Sequence, residues 1–166
     1  MQLAIIITIF SFFLESIVSN FVSINSQLFL PLFSIVALVI IYPYLKKERS
    51  SYFKIAAVLG FFYDVVYTDT LIVNLILFVF TAYFIEKINY ALSNNYFNVA
   101  IITGLAITFY RVITFLVLVI IGYLPFSWYA LFLGITSSLL LNMIYAIILY
   151  TITDFLSQKY HITKID

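Results

Sequence analysis

The sequence predicts an all-α polytopic membrane protein with six transmembrane helices, and three observations lead there. Of its 166 residues, 65% are hydrophobic and 9% are charged, where a water-soluble domain is typically about 45–50% apolar and 25% charged. A soluble chain this short leaves much of its surface in water and needs charge to cover it, so the apolar surplus belongs in lipid. The apolar residues also come in unbroken runs such as 71–85, unlike the alternating ten-residue strands of an outer-membrane barrel. Finally, a helix needs roughly 20 apolar residues to cross the hydrocarbon, and six crossings would consume about 120 of them. What remains is loop, with no room for a soluble catalytic domain.

The first span is expected at 3–21, with Glu15 inside it. The first Lys is Lys46 and no small-residue cleavage pattern follows the run, so it reads as a span and not as a signal peptide. After the polar stretch 23–27, a second span is expected at 28–45, with Pro31 and Pro43 near its ends, where proline is cheapest. The most charged stretch follows: Lys46, Lys47, Glu48 and Arg49. The segment 52–84 is too long for one crossing and carries Tyr67-Thr68-Asp69-Thr70 near its middle, which gives two shorter spans, 52–66 and 71–86. A polar stretch leads to a fifth span at 97–121, containing Arg111. The turn 122–128 is rich in aromatic residues suited to the headgroup region, and a sixth span runs over 129–152. The tail carries Lys159, His161 and Lys164, and residues 1–166 form one domain.

Positive charge orients these spans. Lys46, Lys47, Arg49 and Lys54 fall between the second and third, Lys87 between the fourth and fifth, and Lys159 and Lys164 in the tail, so seven of the eight cations share one side. By the positive-inside rule that side is cytoplasmic, with both termini on it. A five-span arrangement would separate the basic loop from the basic tail. No internal repeat stands out.

Chemistry is sparse. With no Cys and one His, the chain offers little for a metal, and a net charge of +1 provides no field for nucleic acid. Nothing calls for a cofactor. Asp64 and Asp69 do not converge on one substrate if Asp69 lies in a turn, and a Ser–His dyad would require His161 to enter the membrane from the tail. What remains is Glu15, Asp64 and Arg111. At 1.5 Å per residue they lie roughly 18, 18 and 21 Å from the basic side, at one level. Intramembrane charges usually face the bundle and pair, so these three are expected to form a buried polar cluster, in which either Arg111 grips both carboxylates or one acid stays protonated after desolvation; the cluster reads first as a structural core that fixes the bundle and second as a proton or ligand pathway. Neighbours three or four residues away agree: Thr8, Ser11 and Ser19 flank Glu15, Ala56 and Gly60 precede Asp64, Gly104 and Thr108 precede Arg111, and the sixth span has Gly134, Ser138 and Asn142. Asn74 is expected to bond between helices.

The stretch Gly60-Phe61-Phe62-Tyr63-Asp64, closing the third span before a short turn, resembles the rod shape-determining MreD family. Phe13-Leu14-Glu15-Ser16 is similar to the acidic first-span segment of Gram-positive members, and Leu30-Pro31 opens the second span as a proline does in the family. Where members often have a Gly after the Asp turn, this chain has Asp69-Thr70-Leu71. The resemblance implies a non-enzymatic scaffold of the cell-wall elongation machinery in the bacterial cytoplasmic membrane. Its partners would be the single-span MreC protein, the RodA polymerase with its class B penicillin-binding partner, and the MreB filament. The implied fold is similar to the substrate-binding subunits of energy-coupling-factor transporters, which supplies the alternative, a vitamin-binding subunit. Against it, the expected external loops are short, and Ala4 is followed four residues on by β-branched Thr8 where a small docking pair would be wanted.

Overall fold

The computed structural model describes residues 1–22, 30–68, 72–91 and 95–160. Within them lie six helices and no strand: α1 (Gln2–Val22), α2 (Phe33–Leu45), α3 (Arg49–Tyr67), α4 (Val73–Ala91), α5 (Tyr96–Ile120) and α6 (Trp128–Lys159). Four of them, α1, α4, α5 and α6, are long and apolar enough to cross a bilayer. Helix α3 begins about one turn earlier than expected and so takes Arg49 into its length, with Lys54 also on the helix. Helices α4 and α6 each run on past their expected ends, so Lys87 and Lys159 stand on helices. His161, Lys164 and Asp69 lie outside the described residues.

The second span departs furthest from expectation. It is helical only from Phe33: Pro31 holds the residue before it out of helical geometry, and Leu32 takes the non-helical cap position at φ −139° and ψ 48°. Residues 30–32 approach α2 in non-helical conformation. At 13 residues, α2 is only about 20 Å long, well short of the roughly 30 Å of hydrocarbon. It is also the centre of the molecule, because twelve of its residues are buried and it packs against all five other helices. Around it, α1, α3, α4, α5 and α6 follow one another, and a 2.8 Å hydrogen bond between the Ser11 and Tyr145 hydroxyls joins α1 to α6. The Phe33 and Tyr145 rings stack at 3.9 Å, fixing the start of α2 against α6. The outer surface is lined with exposed apolar side chains, Ile6, Phe10 and Phe13 on α1 and Phe61, Val65 and Val66 on α3 among them.

At the basic side, Arg49 opens α3 and grips Glu86 near the end of α4 through two contacts, Nε to Oε1 at 2.7 Å and Nη2 to Oε2 at 2.9 Å. The Arg49 side chain is 62% exposed, and ion pairs in that setting contribute little. Replacing Glu86 with Gln is expected to leave the melting temperature of the detergent-solubilised protein nearly unchanged.

Candidate functional site: two helix starts inside the bundle

A helix exposes its first N–H groups, and in lipid no water is there to receive them. Helices α5 and α6 solve this locally: the Asn95 side chain accepts from Asn98 N at 2.9 Å, and Ser127 Oγ accepts from Ala130 N at 3.4 Å. Helix α2 has apolar Leu32 at its cap position, with no side-chain bond of its own. Ile72, just before α4, has an aliphatic side chain that can accept nothing. Both helices are capped from elsewhere in the chain.

Asp64 of α3 caps α4. Its Oδ1 accepts from Asn74 N and Asn74 Nδ2, both at 3.0 Å, and its Oδ2 accepts from Leu75 N at 3.0 Å. The carboxylate is 1% exposed. Asn74 carries the contact outward: its Nδ2 also donates to Thr68 Oγ1 at 3.1 Å, and its Oδ1 accepts from the Tyr110 hydroxyl at 2.8 Å. One side-chain amide thus ties α3, α4 and α5 together, the interhelical role expected of it. Negative charge at a helix N-terminus is favourable in its own right, by up to about 2 kcal/mol where partly buried.

Gly60, one turn before Asp64, makes this geometry possible. A Cβ there would stand 2.5 Å from the Asn74 carbonyl oxygen and 2.6 Å from the Leu75 Cα, closer than atoms can approach. The missing side chain lets the first turn of α4 lie directly on the α3 backbone. Gly60 and Asp64 therefore do one job: the first allows the approach and the second satisfies the N–H groups brought in by it.

Glu15 of α1 does the same for α2. Its Oε2 accepts from Ser34 N at 2.8 Å and from Ser34 Oγ at 2.7 Å. Asn142 of α6 takes the residues just before. Leu32 N donates to its Oδ1 at 2.7 Å, while its Nδ2 donates to Leu30 O at 2.9 Å and Ser138 O at 2.6 Å. Leu30 N donates to Ser137 O at 3.1 Å. The non-helical approach to α2 is thus hydrogen-bonded, as backbone at this depth must be.

The device occurs twice: an acid in the later half of α1 caps α2, and an acid in the later half of α3 caps α4. The residues that do it share no motif, which is why no repeat shows in the sequence.

Arg111 is placed differently from expectation. Its Nε donates to Ser138 Oγ at 2.9 Å, and Ser138 Oγ donates to Gly134 O at 2.9 Å. No ion pair joins Arg111 to Glu15 or Asp64 among the described residues. The physical reason is competition, since helix N–H groups already occupy both carboxylates. Arg111 remains near them: Glu15 feels its charge, and the Tyr110 hydroxyl lies within electrostatic range of all three. The structure therefore brings Glu15, Asp64 and Arg111 to one region, each with its own direct partner. The buried stripe of α5 runs through Val99, Thr103, Ala106 and Tyr110, with Gly104, Thr108 and Arg111 half-buried beside it.

Ser34 and Tyr110 were not singled out by sequence. The one available signal was the absence of a capping side chain at the start of α2, where Leu32 and Phe33 are apolar, which calls for acceptors from elsewhere.

The expected basic loop is mostly helix. Lys46 follows the last residue of α2 and Lys47 is exposed in the turn, while Arg49 and Lys54 stand on α3. Among the described residues no group of three or more His, Cys, Asp or Glu is placed to hold a metal.

No curated protein and no solved structure shows significant similarity to the chain. The family model of the rod shape-determining protein MreD matches residues 1–160. That match covers nearly the whole chain, including both helix-capping acids and the Gly60 approach, and the chain belongs to the MreD family of bacterial rod shape-determining membrane proteins.

Proposed function

We propose that this protein is a non-enzymatic membrane scaffold of the cell-wall elongation machinery, binding MreC and through it linking wall synthesis to the cytoskeleton. The observation that carries this reading is the fate of the intramembrane carboxylates. Glu15 and Asp64 are the groups best suited to general acid or base work, and both are committed to holding helix starts. A group so used has no free geometry from which to meet a substrate. Family membership supports a shape-determining role. A chain with short loops meets its partners mainly through lipid-facing helices, where packing and a few polar contacts supply affinity. RodA with its class B penicillin-binding partner, and MreB, are the further partners proposed.

The test is isolation of the full chain from its native membrane in mild detergent. Recovery of MreC supports the scaffold. Recovery of an ATPase module or a bound vitamin, with no wall-synthesis component, would favour transport instead.

The proposed topology has six crossings with both termini in the cytoplasm. In it α2 and residues 30–32 together make the second crossing, and the charges of Lys46, Lys47, Arg49, Lys54, Lys87 and Lys159 set the orientation. Since the chain has no Cys, single substitutions report cleanly. Ser127→Cys is expected to react with an impermeant thiol reagent on intact cells, and Ser50→Cys only after permeabilisation. The opposite pattern would reverse the orientation.

A further inference from the structure

Helices α1 and α3 touch unevenly. At one end Tyr67 donates its hydroxyl to Phe12 O at 3.1 Å, and the Phe12 ring meets Tyr67 at 5.4 Å and Phe62 at 6.4 Å, both edge-on. Toward the basic side the helices part and leave a groove of about 500 Å³ between Ile5, Ile9 and Phe13 on one wall and Lys54, Val58 and Phe62 on the other. Thr8 also lines it, but its hydroxyl is turned back onto Ala4 O at 2.7 Å, so the walls present hydrocarbon. Lys54 stands at the open end, exposed and with no carboxylate partner among the described residues.

We infer that this groove binds one acyl chain of an anionic phospholipid from the leaflet on the basic side, with the Lys54 ammonium on its phosphate. Length decides the occupant. From Lys54 to Phe62 the groove runs about 12 Å, and half of a roughly 30 Å hydrocarbon layer is about 15 Å. A partner's transmembrane helix would continue through both leaflets, whereas the Phe12, Phe62 and Tyr67 cluster closes this groove midway. A single chain entering from one leaflet fits that depth, and the volume lies within the usual range for small-ligand sites. Charge agrees, because a Lys on a flexible stem at an apolar groove's mouth reaches the headgroup level and finds a phosphate there.

Native mass spectrometry of the full chain, released from detergent after incubation with phosphatidylglycerol or phosphatidylcholine, tests this. The wild type is expected to retain one phosphatidylglycerol in preference to phosphatidylcholine. Lys54→Ala should reduce that preference about fivefold, and Lys87→Ala, which removes a charge away from the groove, should leave it unchanged. Val58→Trp fills the groove from α3 and Ile9→Trp fills it from α1; both positions are exposed, so each should fold and each should lose the bound lipid. If one variant fails to fold, the other decides. Equal retention of the two lipids by the wild type would overturn the inference, as would lipid retention by a well-folded tryptophan variant. So would a wild-type dimer that either tryptophan splits, since a second copy would then be the occupant.

Discussion

Asp64→Ala is expected to lower the melting temperature of the solubilised protein by about 10 °C. The substitution strands Asn74 N, Asn74 Nδ2 and Leu75 N together, all now received by one carboxylate. Leaving a buried donor unsatisfied costs about 1–3 kcal/mol, and where the Thr68 hydroxyl still takes part of the Asn74 amide the total comes to at least about 3 kcal/mol. For a chain of this length 1 kcal/mol corresponds to roughly 2–4 °C. Asp64→Asn should fall between. One amide oxygen can still accept, but the amide nitrogen is a donor facing a donor. Circular dichroism melts of the three proteins in one detergent check the order. Equal melting of Asp64→Ala and wild type would remove the capping role.

Gly60→Leu is expected to be worse tolerated than Gly60→Ala, which should cost about 1–3 kcal/mol. The nearest atoms to the added Cβ are backbone atoms of α4, at 2.5 and 2.6 Å, which cannot rotate away. Helix α4 must shift outward, and that shift lengthens the bonds from Asn74 and Leu75 to Asp64. The two residues are therefore energetically coupled. Combining Gly60→Ala with Asp64→Ala should cost clearly less than the sum of the two single changes, as contacting residues in one network do. Strict additivity in a double-mutant cycle would show that Gly60 and Asp64 serve separate purposes.

The fold was legible to the extent that composition and apolar runs govern it. Six helices occur near the expected positions because each apolar run is bounded by polar or turn-forming residues. The start of α2 was not legible because an apolar run looks the same whether helical or extended, and a proline fits the first turn of a helix as well as an extended approach. The ends of α4 and α6 were set too early because charged residues such as Lys87 and Lys159 sit comfortably on a helix once it reaches the headgroup level.

At the site, periodicity identified Glu15 and Asp64 as inward-facing, and both are buried. Their partners were not legible. Charge counting suggested that two acids would seek Arg111, but a helix start is also an electropositive partner, and one carrying no charged residue to mark it in the sequence. Asn142 shows the same limit: its place on a small-residue stripe was readable, but not that it would hold the backbone of residues 30–32.

Acids from α1 and α3 secure the starts of α2 and α4 inside the bundle. For α4 the decisive measurement is amide hydrogen exchange at Asn74 and Leu75, compared between wild type, Asp64→Ala and Arg111→Ala in one detergent. Slow exchange is expected at both amides in wild type and Arg111→Ala, and exchange faster by at least about tenfold in Asp64→Ala, the factor that 1.4 kcal/mol of lost protection gives. Unchanged protection of these two amides in Asp64→Ala, or equal loss in Arg111→Ala, would contradict this capping.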